Sequence, residues 1–352
     1  LTSATDLYHD ISHLKGKTIV IYNASDAEDI ISITNIKITH TAKPTSTDDI
    51  ALFTVTKRGA AMALKSLGSS LPEIQEPQET TVRKWNIVLG DDIGANFYVE
   101  APENGAASAV KVTVAGHTET YDLSALTPNE EGLYKISVNM AAAQMTEDIT
   151  VKLIVDGQEY ASGSYSIQNY AKVILEGEYS DETKALVKHM LSYGAAAQNY
   201  FGVNKDNLAN AGHELSYIAQ YPVKYPQLAV SGKIGDVSFY GASLVFESKV
   251  ALRYYFEAES VEGVTFTVDG VSYPAVEKNG KFYVEIPNIA PYEYGDAFVL
   301  SAQKDGQTME VSYSPMTYMV RMSQKGQADL KALMDAMYGY YEAAVAYKQQ
   351  AN

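Results

Sequence analysis

From Arg83 onward the sequence is written twice, and no other feature narrows the possible folds as much. ANFYVEA at 95–101 matches LRYYFEA at 252–258, DGQ at 156–158 matches DGQ at 305–307, and SYS at 164–166 matches SYS at 312–314. ALVKHMLSYGAAAQNY at 185–200 then matches ALMDAMYGYYEAAVAY at 332–347, with identity at Ala185/Ala332, Leu186/Leu333, Met190/Met337, Tyr193/Tyr340, Ala196/Ala343, Ala197/Ala344 and Tyr200/Tyr347. The offset falls slowly, from 157 to 147, while the order of landmarks is kept. Duplication followed by loop deletion gives that pattern.

Each copy reads as short alternating strands followed by one helix. In the second copy VALRYYFEA, GVTFTVDG, VSYPAV, GKFYVEIP, DAFVLSAQKDG and QTMEVSYS are strand-like runs, punctuated by Asp-Gly or Asn-Gly at 269–270, 279–280 and 305–306. Strands of that number and length predict a two-sheet sandwich. Leu186, Met190, Tyr193, Ala197 and Tyr200 fall on one helical face, as do Leu333, Met337, Tyr340, Ala344 and Tyr347, so each helix presents an apolar stripe to a partner surface. Ser180, Asp181 and Glu182 predict the first helix's start and Gly202 its stop, whereas the second helix has a weaker start signal at 323–327.

The predicted class is therefore mainly β: tandem Ig-like antiparallel β-sandwiches, each followed by one amphipathic helix. They come after the C-terminal part of another β-sandwich module, jelly-roll-like, at 1–50. There Thr18–Tyr22 and Ile30–Thr39 read as a hairpin whose remaining strands lie elsewhere. Residues 51–82 read as a short helix (56–67) and a Pro-interrupted linker. The sandwich copies span 83–202 and 236–352, and 203–235 reads as a connector.

Composition limits the partners. Lys plus Arg number 27 against 43 Asp plus Glu, a net charge of −16 that repels phosphate backbones and anionic headgroups, so neither nucleic acid nor a membrane surface is an expected partner. No apolar run reaches membrane-spanning length, and membrane insertion is not expected. With no cysteine, disulfides and thiolate chemistry are excluded, and stability must come from packed cores. The 27 tyrosines against 9 phenylalanines and one tryptophan suit strands with one apolar face and one wet end.

The phrase YGAAAQNYFG at 193–202 with DNLAN at 206–210, and FYGASLVFESKVALRYYFE at 239–257, resemble a module near the C-terminus of large secreted and surface proteins of gut Clostridia. LYHDISHLKGKTIVIYNASDAEDIISITNIKIT at 7–39 is similar to the segment that often precedes it. Such proteins frequently carry carbohydrate-active, glucan-binding or dockerin modules. The resemblance implies an extracellular, cell-surface or secreted setting, with other modules on the same long polypeptide, and it implies no reaction. Its motif is one of packing, small Ala and Gly between large Tyr and Phe. The second copy departs from it, with Tyr341 and Glu342 in place of Gly194 and Ala195, which predicts a looser helix or a different packing surface.

No nucleophile elbow, phosphate-binding loop, dinucleotide fingerprint, zincin helix or EF-hand loop occurs, so the chain reads as a non-enzyme without cofactor. His9 and His13 have ligand spacing but no evident third ligand, and Asp26, Glu28, Asp29, Asp91 and Asp92 lack the spacing of a calcium loop; no metal is expected. The expected function is non-catalytic polysaccharide binding, with glucan or starch as the first class. Sugar faces stack on exposed rings, and the candidates are Trp85 at a domain edge, Tyr221 and Tyr225 with Tyr217 along the connector, and Tyr292 and Tyr294 on a loop. Core packing of Trp85 and docking of the connector tyrosines onto a sandwich are the structural alternatives. The rival function is an adhesin for a host glycoprotein such as a mucin or immunoglobulin, or a spacer.

Overall fold

The computed structural model describes residues 71–76, 81–89, 93–101, 108–246 and 249–350, all within the Val55–Asn352 unit of the chain. The hairpin expected at 17–40, the helix at 56–67, His9, His13 and the acidic residues at 26–29 and 91–92 lie outside the described residues.

The described chain is mainly β, with several antiparallel sheets and four α-helices. A first β-unit contains β1 (Ile74–Gln75), β2 (Val82–Leu89), β3 (Ile93–Val99), β4 (Ser108–Val114), β5 (His117–Asp122), β6 (Tyr134–Met140), β7 (Ile149–Val155) and β8 (Gln158–Tyr165). Its sheets run β1-β2-β3-β6 and β5-β4-β7-β8. Helices α1 (Ile167–Glu176) and α2 (Asp181–Phe201) follow.

A second β-unit contains β9 (Ala229–Gly232), β10 (Ser238–Val245), β11 (Ala251–Glu257), β12 (Thr265–Val268), β13 (Val271–Tyr273), β14 (Ala275–Lys278), β15 (Lys281–Ile286), β16 (Phe298–Lys304) and β17 (Gln307–Tyr313). Its sheets run β10-β11-β15-β14 and β13-β12-β16-β17-β9, and helices α3 (Pro315–Lys325) and α4 (Ala328–Gln350) follow. The order β2-β3-β6 thus answers β10-β11-β15, and β5-β4-β7-β8 answers β13-β12-β16-β17. The Asp-Gly and Asn-Gly pairs at 269–270, 279–280 and 305–306 all have positive φ at both residues, as two-residue hairpins matching the strand twist require.

Buried rings join the two sheets of each unit into a sandwich-like layer pair. Trp85 and Phe97 of one sheet meet Tyr165 of the other at 5.1 Å, and Phe256 meets Phe266 at 5.2 Å. The Tyr254 hydroxyl donates to the Phe298 carbonyl at 2.8 Å. Alternation along β11 explains the layering, since Leu252, Tyr254 and Phe256 are buried while Arg253, Tyr255 and Glu257 turn outward.

Three boundaries differ from expectation. Each β-unit is followed by two helices rather than one. The extra helix α1 buries Ile167, Tyr170, Ala171 and Ile174, and Ser166 caps it by accepting from the Asn169 N–H; Ser314 does the same for α3 through Thr317. The described part of the expected linker contributes buried Leu71 and strand β1, which pairs with β2, so Pro72 between them does not hold it off the sheet. The expected connector contributes β9, an edge strand on β17.

The helix stripes are buried over most of their length, Leu186, Met190, Tyr193 and Ala197 on α2 and Leu333, Met337, Tyr340 and Ala344 on α4, whereas at their C-terminal ends Tyr200 is exposed and Tyr347 half-buried. α2 starts at its Ser180 cap and stops at Gly202, whose φ of 72° suits glycine. Each long helix packs on a short 3₁₀ turn of its own unit, Ala142–Gln144 or Pro291–Glu293, and the two long helices pack on each other. Gly194 and Tyr341, at corresponding positions of the two long helices, meet different residues of their turns. A Cβ on Gly194 would lie 2.5 Å from Met145 Sδ and 3.2 Å from the Ala142 carbonyl, while a Cβ on Gly295 would lie 2.5 Å from the Tyr341 hydroxyl. The second helix is therefore not packed more loosely for lacking the glycine; its large residue sits where the turn supplies the small one.

Candidate functional site

The expected ring platforms are mostly committed elsewhere. Trp85 is 3% exposed, stacks on Phe97 at 5.7 Å, meets Tyr170 edge-on and donates Nε1–H to Glu76 Oε1 at 2.9 Å. It is a core residue and offers no face to a sugar. Tyr292 and Tyr294 would share a face only in an extended loop. Pro291 instead starts the 3₁₀ turn, which sends Tyr294 into the core and leaves Tyr292 half-buried with the Lys348 ammonium 4.1 Å from its ring centre. Burial, with Glu293 and Asp296 nearby, pushes the Tyr292 hydroxyl up to about 12.

The connector tyrosines bind α4 rather than a sheet. The Tyr217 hydroxyl donates to Glu342 at 2.6 Å and Tyr221 to Asp335 at 3.0 Å. Tyr338 returns a bond to the Gln220 carbonyl at 3.1 Å, its ring 4.6 Å from Tyr221. Tyr225 is half-buried against the core. Alternation follows: Tyr217, Ala219 and Tyr221 face inward, while Ile218 between them is 84% exposed.

The YGAAAQNYFG phrase also serves packing. Gln198 is fully buried and its amide is saturated: Oε1 accepts from the Ala209 N–H at 2.7 Å, and Nε2 donates to Thr146 Oγ1 at 3.2 Å and to the Asn207 carbonyl at 3.0 Å. One side chain so pins the DNLAN loop to the helix and to the turn of the first β-unit.

The ring cluster that does reach the surface lies on the outward face of the β10-β11-β15-β14 sheet. Tyr240, Arg253, Tyr255, Lys278, Asn279, Lys281 and Tyr283 line a groove of about 350 Å³ that touches all four strands. Its construction follows from alternation and register. Odd-numbered residues of β11 and β15 turn outward, and antiparallel pairing places Tyr255 opposite Tyr283 and Arg253 opposite Glu285. A register shift between Phe239 and Gly241 makes Tyr240 the extra residue of a bulge, 61% exposed. Gly241 lies opposite Tyr255 with open space where a Cβ would be.

Cations lie over two of the three rings. Lys281 Nζ is 3.2 Å from the Tyr240 centroid and Arg253 Cζ is 4.9 Å from that of Tyr283. Arg253 Nε donates to Glu285 Oε2 at 2.7 Å, Lys249 pairs with the other Glu285 oxygen at 3.1 Å, and Lys281 pairs with Glu257 at 2.8 Å. Burial works against the Glu285 charge, but the bonds from Arg253 and Lys249 outweigh it and hold the carboxyl below its ordinary range. Lys278 has no carboxylate partner among the described residues.

The matching face of the first β-unit is built differently. Asn96 stands at the position of Arg253 and is buried, donating to Asn86 at 3.2 Å and accepting from Ser137 at 2.7 Å. Lys84, over the Tyr98 ring at 5.0 Å, is held between Glu73 and Glu131. The open aromatic and cationic groove therefore belongs to the second β-unit.

No protein-family model matches the chain, and no curated protein matches it in sequence. Among the described residues, no helix is long and apolar enough to cross a membrane.

Proposed function

We propose that this chain is a non-catalytic polysaccharide-binding module of a secreted or cell-surface protein of a gut Gram-positive bacterium. In this reading its two β-units are Ig-like sandwiches related by duplication. The observation that carries the proposal is the groove of Tyr240, Tyr255 and Tyr283 with Arg253, Lys278, Asn279 and Lys281. It crosses four strands, roughly 14 Å at the usual strand spacing, which suits several linked sugar rings better than one small molecule. Tyrosine hydroxyls and an amide supply the polar contacts that sugar hydroxyls need.

The acids beside the groove support a binding role over hydrolysis. A glycosidase needs one carboxylic acid that keeps its proton. Glu285, bonded to Arg253 beside the groove, is biased toward ionisation.

The test is electrophoresis of the full chain through native gels containing starch, pullulan, β-glucan and other polysaccharides, beside a Tyr255→Ala/Tyr283→Ala variant. Retention of the parent, weakened in the variant at unchanged melting temperature, is expected. Migration unaffected by every polysaccharide would shift the reading to an adhesin or spacer. One observation favours that second reading: edge strand β9 is exposed throughout, with Val230 half open, so its free edge is suited to pairing with an extended partner segment.

A further inference from the structure

We infer that the polysaccharide bound at the β10-β11-β15-β14 face is an anionic one, held through its carboxylate or sulfate groups by Arg253, Lys278 and Lys281. This deepens the binding-module reading and rests on it.

The argument begins with what the groove offers a ligand. A neutral sugar is best met by a bare aromatic face. Here a face of Tyr240 is taken by the Lys281 ammonium and a face of Tyr283 by the Arg253 guanidinium. The rings act as pads beneath cations, so the groove presents positive charge where a neutral-sugar platform presents carbon. Arg253 is steadied by Glu285 through Nε, and the ring holds the guanidinium plane, an arrangement that orders a fork able to meet an oxyanion.

The distribution of charge points the same way. The chain carries −16 overall, yet of the six basic residues between 229 and 313 only Lys233 and Lys304 lie away from this sheet; Lys249, Arg253, Lys278 and Lys281 sit on or beside it. Lys304 is occupied by the Glu262 carbonyl at 2.8 Å. Glu285 and Glu257 offset part of the cluster and Glu277 adjoins Lys278 on β14, so the four cations keep a small excess over three acids; Lys278, at the hairpin tip beside Asn279 on the rim of the groove, forms no ion pair among the described residues. A local positive groove on a negative molecule also confers selectivity. The remaining surface repels an anionic polymer, so attachment elsewhere is disfavoured.

The experiment compares retention of the full chain on three kinds of native gel at low and moderate salt. One carries a uronate polymer such as polygalacturonate, one a sulfated dextran, and one the neutral counterparts, carboxyl-reduced polygalacturonate and plain dextran. Retention on an anionic gel and not on its neutral counterpart is expected, weakened about tenfold or more by Lys278→Ala/Lys281→Gln and by added salt. Which anionic gel retains the chain identifies the acidic group. Because the protein as a whole is repelled by such gels, nonspecific charge attraction does not mimic this result. Retention on neutral gels alone would overturn the anionic assignment while leaving the binding-module reading intact. Absence of retention on every gel would overturn both. Unchanged retention of a Lys278→Ala/Lys281→Gln variant with parental melting temperature would overturn the placement of the site.

Discussion

Tyr193 of α2 and Tyr340 of α4 stack on each other with ring centroids 5.7 Å apart and planes 20° from parallel. The residues are 4% and 1% exposed. Each long helix's stripe thus finds a partner in the other long helix as well as in its own β-unit. Gly339, one residue before Tyr340, permits the approach; a Cβ there would lie 2.5 Å from His189 Nδ1.

The Tyr340 hydroxyl is buried without a hydrogen-bond partner. A hydroxyl so placed costs about 1–3 kcal/mol. Tyr340→Phe is therefore expected to raise the melting temperature, whereas Tyr340→Ala should destabilise by about 3–5 kcal/mol through the cavity it leaves. Thermal denaturation of both variants tests the pair, and a Tyr340→Phe protein less stable than the parent would contradict this packing.

Gln198→Leu fills similar space and removes every bond the amide makes. With the Ala209 N–H and the Asn207 carbonyl left unmet, a loss of about 2–4 kcal/mol is expected. Amide hydrogen exchange should rise locally over 203–210. Uniform exchange across the chain would deny the residue its role as a loop clamp.

His189 meets Tyr217 edge-on at 4.9 Å, and burial lowers its pKa more than the Glu342 carboxylate raises it. The unfolded chain therefore binds this proton at a higher pH than the folded chain. The stability contributed is complete above the ordinary histidine value near 6.5 and declines as pH falls below it. His189→Gln should remove the slope just below that value and leave the steeper carboxylate-driven loss at lower pH. Denaturant titrations across that range provide the check.

Tyr221 bonds the charged carboxylate of Asp335, a contact of about 1.5–3 kcal/mol. Tyr221→Phe should loosen the connector without unfolding either β-unit. Lys224 is exposed beside Val223, so limited trypsin digestion should cut there faster in the variant. Equal cleavage rates would mean that the hydroxyl bonds do not hold the segment down.

Much of this fold was legible because its periodicities are strong. Most strand runs of the second β-unit, the Asp-Gly and Asn-Gly turns, the buried part of each helix stripe, the Ser180 cap and the Gly202 stop appear where local chemistry predicts them, but VSYPAV, read as one run, divides at Pro274 into β13 and β14 of different sheets, and β10 is not among the runs. α1 has the signal too, with Ile167, Tyr170, Ala171 and Ile174 spaced for one face, but β-branched residues so soon after a strand mask it. The candidate groove was not legible. Alternation alone puts Arg253 and Tyr255 on one face and Lys281 and Tyr283 on another, yet only strand register makes those faces the same one. Trp85 was conspicuous for its rarity, and rarity says nothing about which way a ring turns.

The fit of Gly194 and Tyr341 against the two 3₁₀ turns bears on how two similarly built β-units in one chain avoid tangling. Similar neighbours risk trading elements during folding, each helix settling on the wrong β-unit. Here such a trade would put Tyr341 in the place of Gly194, where even a Cβ would lie 2.5 Å from Met145 Sδ and 3.2 Å from the Ala142 carbonyl, and would leave empty the space that the Tyr341 side chain fills beside Gly295. The mismatch gives each helix an address, so a chain that repeats itself still folds with its halves in order.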